Sequence, residues 1–349
     1  MFIDARIKQF RSYSNASFEF SPHVNIIVGP NASGKTNLLE AILVMCRGGS
    51  YRVKDTELIK FEQPWARIDT NINNGTTRTV KIFRDRAPAK TFEVNGKEYR
   101  RLPTTQSIPA VLFEPNHLQL LTGSPERRRE FLDDLIEQTT PGYAATRRQY
   151  KRTLSQRNTL IKKRPTKSDM FPWDVRLSQL AGQIIRHRTA TTEEINKNIT
   201  SLYKELSQAK TETHLEYQNC WAPDHYETKL LKQLESNFDT DIIKGFTSAG
   251  PHREDFAMLF DKQPAQEVAS RGEIRTATLA LKIIELKLVE ANRGTAPVLL
   301  LDDVFSELDG KRRHSLTDYL EKYQTFITTT DADLVVKNFT QKCNIIALT

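Results

Sequence analysis

Near the N-terminus, Gly29, Gly34, Lys35 and Thr36 stand at the spacing G-x-x-x-x-G-K-[ST], a loop whose backbone N–H groups cradle the phosphates of a nucleotide. The flanks suit that role. Val24, Ile26, Ile27 and Val28 read as a buried strand, and the apolar run from Thr36 to Met45 reads as a helix, so the loop aims a helix N-terminus at an anion. Gly29, Pro30, Asn31, Ala32, Ser33, Gly34, Lys35, Thr36 and Asn37 would line ATP. Lys35 would reach the β- and γ-phosphates and Thr36 would hold Mg²⁺. The plainer alternative is an ordinary glycine-rich turn. Far along the chain, Val298-Leu299-Leu300-Leu301 runs into Asp302 and Asp303, a buried strand ending in two acids. With a phosphate loop present, Asp302 becomes the carboxylate that completes the Mg²⁺ site. Asp303 is placed either to orient the attacking water or as an outer-sphere acid. Lys35, Asp302 and Asp303 are the catalytic candidates.

The elements that must bring these residues together come from both ends of the chain. Phe2–Lys8 and Ala16–Phe20 alternate like strands. Asn74-Gly75 and Asn95-Gly96 each separate short alternating runs, which predicts two hairpins in an antiparallel sheet. Ala110–Phe113, Phe256–Phe260, Phe326–Asp331 and Asn344–Leu348 read as further strands. Ser124-Pro125-Glu126 caps a helix, and apolar spacing from Leu177 to Leu206 predicts one long amphipathic helix that skips a beat at Arg188. The fold class expected is α/β: a phosphate-loop ATPase head built from residues 1–122 and 241–349, with an antiparallel β subdomain. A helical arm at 123–240 is inserted between the two lobes.

The 349 residues carry a net charge of +8, and 38% of them are hydrophobic, as in ordinary globular proteins. The charge is uneven. Between Pro141 and Ser168 no acid occurs, while nine bases do: Arg147, Arg148, Lys151, Arg152, Arg157, Lys162, Lys163, Arg164 and Lys167. Arg147/Lys151 and Arg148/Arg152 would stack like charges on a helix, which favours an anionic partner such as a nucleic-acid backbone. A merely solvated basic helix is the competing reading. Cys46, Cys220 and Cys343 form neither a zinc nor a disulfide pattern. No apolar run is long enough to span a membrane, and Asp4, Arg6 and Lys8 interrupt any signal-like core, so the cytoplasm is the expected compartment.

Ser270-x-Gly272 opens a helix upstream of the acidic strand and cannot serve the nucleotide that the phosphate loop already holds. Serine also caps helices for purely structural reasons. The position resembles the signature of ABC-type head ATPases, which sandwich nucleotide between two subunits. That resemblance implies that Ser270 and Gly272 act in trans and that Ser270, Arg271, Gly272, Ser306 and Asp309 line a dimer interface, Ser306–Asp309 being similar to a D-loop. It also implies a γ-phosphate sensor near Thr329 or Thr330, where many such heads carry a histidine. More specifically, the chain resembles the RecF family of bacterial recombination mediators over nearly its whole length. The residues that carry this are Phe10-Arg11-Ser12-Tyr13, Gly29–Asn37 with Leu38-Leu39-Glu40-Ala41, Phe113-x-Pro115 and Gly123-Ser124-Pro125 with Arg127-Arg128. Trp173-Asp174 with Leu177 and Leu180-Ala181, Gly250-Pro251-His252-Arg253 and Leu299–Asp309 complete the set. The chain departs from the family at Arg271-Gly272-Glu273, where a glutamine-rich signature is usual, and at Asn116, where an acid is common. Gln106 and Gln119 are both candidates for the Q-loop glutamine.

The family implies a weak, DNA-stimulated ATPase that dimerises around two ATP molecules. It would bind double-stranded and gapped DNA through Arg147, Arg148, Lys151, Arg152, Arg157, Lys162, Lys163 and Arg164, and promote recombinase loading with the partner RecR. The alternatives are another head ATPase of the cohesin-like, nuclease-associated or phage-defence kind, marked by a nuclease or long coiled-coil partner, and a small-molecule kinase, marked by phosphoryl transfer to a small acceptor.

Overall fold

Five short segments, scattered in sequence, form one parallel sheet in the order Asn344–Ala347, Val24–Val28, Thr325–Thr329, Val298–Asp302, Ala110–Phe113. Every residue of Val298–Asp302 and Thr325–Thr329 is buried, as expected of parallel strands covered on both faces. The computed structural model describes residues 1–50, 52–219, 221–320, 322–331, 335 and 343–349; Cys220 lies outside the described residues.

The helix Lys35–Arg47 follows the phosphate loop and is apolar nearly all round, because it has two sheets to satisfy. Leu38, Leu39, Ile42 and Leu43 join Leu300 and Phe326 of the parallel sheet in one core with Ile7, Ile68, Val80 and Ile82 of a second sheet. That second sheet is antiparallel, in the order Tyr13–Glu19, Asp4–Phe10, Trp65–Asn71, Thr77–Phe83, Lys90–Val94, Lys97–Tyr99. Both expected hairpins are present. Asn95-Gly96, at φ 49° and 78°, makes the tight turn between Val94 and Lys97, whereas Asn74-Gly75 sits in a longer loop.

The chain divides into two units, residues 1–117 with 285–349, and residues 118–284. The expected return to the head at 241 moves to 285, so the segment carrying Ser270 belongs to the second unit. This unit contains the helices Pro125–Thr139, Tyr143–Ile161 and Lys167–Asn196 and the sheet Thr213–Gln218, Asp255–Phe260, Gln263–Pro264. The long helix expected to reach Leu206 stops at Asn196, and a separate helix runs over Ile199–Ser207. Asn196 turns its side chain to the strand, accepting from Leu215 N–H at 2.7 Å and donating to Leu215 O at 2.8 Å. The skipped apolar beat at Arg188 is a buried ion pair with Asp133 at 2.9 Å, and Arg188 also donates to Pro251 O at 2.8 Å.

Gly250-Pro251-His252-Arg253 ties this unit together. Gly250 has φ 126°, and a Cβ there would lie 2.8 Å from the Tyr150 hydroxyl. That hydroxyl bonds His252 Nδ1 at 2.7 Å, and His252 Nε2 lies 3.1 Å from Thr247 O, so Nε2 carries the proton and Nδ1 accepts. Burial lowers His252 to about 4 from its usual 6.5. The unfolded chain therefore takes a proton that the folded chain refuses. The stability contributed by neutral His252 is complete above pH of about 6.5 and is lost as pH falls toward about 4. Urea midpoints at pH 7 and pH 5 should show this loss, and His252→Gln should reduce it.

Candidate nucleotide site

The phosphate loop is shaped by close approach. A Cβ on Gly29 would lie 2.6 Å from Ser33 Oγ and 2.7 Å from Leu348 O, and Gly34 enters the helix at φ 101°. Even a methyl group at either position would obstruct or strain the cradle. Lys35, only 5% exposed, donates from Nζ to Gly29 O at 2.8 Å and Pro30 O at 3.0 Å, holding both carbonyls at the loop entrance. Tyr13 donates to Gly34 O at 3.0 Å and Asn37 to Ser12 Oγ at 2.8 Å, which ties the N-terminal hairpin to the loop.

The acidic strand meets the loop as the chemistry requires. Thr36 Oγ1 donates to Asp302 Oδ1 at 2.8 Å, although the two residues are 266 positions apart. Thr325–Thr329 lies between Val24–Val28, which leads into the loop, and Val298–Asp302, and supplies a second hydroxyl: Thr328 Oγ1 donates to Asp302 Oδ1, also at 2.8 Å. Thr328 Oγ1 also accepts from Asp303 N–H at 2.9 Å, and Asp303 itself has a left-handed φ of 53°. Burial raises the Asp303 carboxyl above its ordinary value, the Lys35 charge lowers it, and the Asp302 charge raises it. A carboxylate of raised basicity at the end of the acidic strand suits a group that takes or orients a water proton. Arg52 Nη2 completes the set, 2.8 Å from Asp302 Oδ2 and 3.0 Å from Glu114 Oε2.

Thr329 and Thr330, the expected γ-phosphate sensors, directly follow the threonine that bonds Asp302. Thr329 Oγ1 closes its own turn, donating to Asp331 O at 3.0 Å and accepting from Asp331 N–H at 3.1 Å, and Thr330 is exposed. Thr328 is the threonine against Asp302. In the second unit, Ser270 N–H donates to Glu273 Oε2 at 2.8 Å and Glu273 N–H to Ser270 Oγ at 3.3 Å, a reciprocal cap on the helix Arg271–Arg293. The departure at Glu273 thus has a structural use within one chain. Ser306 and Asp309 are exposed; Ser306 donates to Asp303 O at 2.7 Å, and Asp309 pairs with Arg312.

Two of the eight cations expected to face DNA are engaged by acids of the chain itself. Arg157 is 0% exposed and lies 2.6 Å from Asp174 and 2.7 Å from Asp241. Arg147 is held by Asp133 at 3.0 Å, Glu137 at 3.0 Å and Asp134 at 3.4 Å. The i,i+4 like-charge argument fails for Arg147 because its partners come from the neighbouring helix Pro125–Thr139. Arg148, Lys151, Arg152, Lys162, Lys163 and Arg164 are exposed.

A family model described as the RecF/RecN/SMC N terminal domain matches residues 2–347. The DNA replication and repair protein RecF of Lachnoclostridium phytofermentans is 34% identical over 339 residues, 95% of this chain and 93% of its own length. This chain belongs to the RecF family. The RecF of Lactobacillus gasseri is 36% identical over 342 residues, 94% of this chain and 91% of its own. A solved structure described as the recombination mediator protein RecF-ATPrS in the RecFOR pathway matches with a TM-score of 0.89 at 30% identity, over 100% of this chain and 97% of that one. An Smc head bound to the C-winged helix domain of ScpA shares the fold at a TM-score of 0.56 and 18% identity, over 99% of this chain and 93% of that one. The RecF-family head is thus the ABC-type α/β ATPase architecture that the motifs implied.

Sequence reasoning missed Arg52, Glu114 and Thr328 as residues of this RecF-family site. Glu114 lies inside the quoted Phe113-x-Pro115 motif as its unspecified position, and Arg52 follows the loop helix in a segment without periodicity. Among the described residues, no helix is long and apolar enough to cross a membrane.

Proposed function

We propose that this chain is an ATP-hydrolysing recombination mediator that pairs with a second copy around two ATP molecules, binds double-stranded and gapped DNA, and aids recombinase loading with RecR. The observation that carries the reading is the 2.8 Å hydrogen bond between Thr36 and Asp302, which joins the phosphate loop to the acidic strand. The residues present suit ATP and Mg²⁺. Ser33 Oγ is buried without a hydrogen-bond partner, a donor that a phosphate oxygen would satisfy, and Gly29 keeps the cradle clear of side chain. The Thr36 hydroxyl and the Asp302 carboxylate are hard oxygen donors of the kind Mg²⁺ selects, and phosphate and water would supply the rest. Bound there, Mg²⁺ would neutralise charge developing on the phosphates. Lys35 would bind the β- and γ-phosphates, Asp303 would orient water, and Thr328 would hold Asp302 and Asp303 in register. The nucleoside would lie in the adjoining hollow of about 490 Å³ lined by Arg11, Ser12, Asn37, Thr56 and Phe61.

The DNA-facing surface is the exposed set Arg148, Lys151, Arg152, Lys162, Lys163 and Arg164. Reversing Arg148, Lys151 and Arg152 to Glu should lower gapped-duplex affinity strongly while leaving ATP binding intact. The salt dependence of binding should flatten by about 0.9 in log–log slope for each phosphate that is no longer neutralised. Fluorescence anisotropy over a salt series measures both. Unchanged affinity would remove the arm from the DNA interface.

A further inference from the structure

We infer that Arg52 is a resident counter-ion of the nucleotide site, holding Asp302 and Glu114 together until a divalent cation takes its place on Asp302. The inference rests on the reading of Thr36 and Asp302 as the Mg²⁺ site. Asp302 and Glu114 are 3% and 8% exposed, so two desolvated carboxylates face a single guanidinium nitrogen, Arg52 Nη2, at 2.8 and 3.0 Å. Without a cation between them their charges would repel in a poorly screened environment.

The two oxygens of Asp302 have different principal partners. Oδ1 accepts from the Thr36 and Thr328 hydroxyls, each at 2.8 Å, while Oδ2 takes the Arg52 charge at 2.8 Å and a longer 3.1 Å contact from the Thr36 hydroxyl. Mg²⁺ sits about 2.0–2.1 Å from its oxygen ligands, so a guanidinium bonded to the same carboxylate would place two cations side by side. Metal entry therefore moves Arg52 off Asp302. Glu114 is the anion that keeps Arg52 nearby, and the Arg52 side chain, 34% exposed, has solvent into which to turn. Arg52 and Glu114 are positioning residues in this scheme: they set how readily Asp302 accepts a metal.

The test is Mn²⁺ binding by titration calorimetry on the full nucleotide-free chain, with urea midpoints in EDTA and in Mn²⁺. Arg52→Gln should bind Mn²⁺ about tenfold more tightly than wild type and should be destabilised in EDTA, with the difference closing as Mn²⁺ is added. Arg52→Lys keeps a cation and covers the case in which Arg52→Gln does not fold; it should gain about threefold. Asp302→Asn should abolish the high-affinity Mn²⁺ site alone and in combination with Arg52→Gln. If Asp302→Asn abolishes binding while both Arg52 variants bind as wild type does, the counter-ion role is overturned and the metal site stands. If Asp302→Asn binds Mn²⁺ undiminished, the metal reading itself falls, and this inference with it.

Discussion

Replacing Lys35 with Ala is expected to weaken ATP binding by at least about a hundredfold while leaving the fold intact. Lys35 supplies a charged donor at the mouth of the loop, and each hydrogen bond to a charged group contributes about 1.5–3 kcal/mol. Hydrogen bonds to two phosphates therefore amount to about 3 kcal/mol or more, which is a hundredfold or greater in affinity. Its present partners, Gly29 O and Pro30 O, are carbonyls of an open loop that water can serve once Nζ is gone. The loss should therefore fall on ligand binding more than on stability. The substitution has a second consequence. Lys35 is the charge that opposes burial and Asp302 at the Asp303 carboxyl, so its removal should raise Asp303 further. Calorimetric titration of ATP, with urea midpoints as the control for folding, checks the prediction. Wild-type affinity in the variant would mean that the loop is only a structural turn.

Arg157→Ala is expected to cost about 3–5 kcal/mol of stability, the range for removing one partner of a buried ion pair. Asp174 and Asp241 would be left facing each other with no cation, and burial already raises the Asp174 carboxyl. Thr247 Oγ1, which accepts from Arg157 Nη1 at 2.8 Å, would also lose its donor. The helices Tyr143–Ile161, Lys167–Asn196 and Phe238–Lys244 meet at this cluster, so its loss should loosen all three. Combining Arg157→Leu with Asp174→Asn and Asp241→Asn removes all three charges together and should recover much of the loss. Chemical denaturation measures these effects. A variant that keeps its stability and loses only DNA affinity would return Arg157 to the DNA interface.

The contrast between Arg157 and Arg152 shows where sequence reading ends. Both belong to the same acid-free run, and composition treats them alike. The acids that claim Arg157, Asp174 and Asp241, come from elsewhere in the chain, so only tertiary structure separates a core ion pair from a solvent-facing charge. The phosphate loop was legible because its chemistry is local: glycine spacing, one lysine and one hydroxyl within eight residues. The meeting of Thr36 with Asp302 was legible because a buried strand ending in an acid is the expected companion of a phosphate loop. Asn95-Gly96 announced its turn through the positive φ angles that few residues adopt. By contrast, the break at Lys197-Asn198 has neither proline nor glycine to mark it. The contact of Thr328 with Asp302 was not legible, because alternation along a strand does not tell which hydroxyl faces the neighbouring acid.

In the proposed function, the site assembled from both ends of this chain is completed by a second copy. Sedimentation velocity tests it most directly, with wild type and Ser270→Arg each run alone, with ATP, and with ATP and a gapped duplex. Wild type should be a monomer that becomes a dimer with ATP and moves onto the duplex. Ser270→Arg should bind ATP as well as wild type and remain a monomer. A wild type that stays monomeric with ATP and DNA, or a Ser270→Arg protein that dimerises normally, would contradict it.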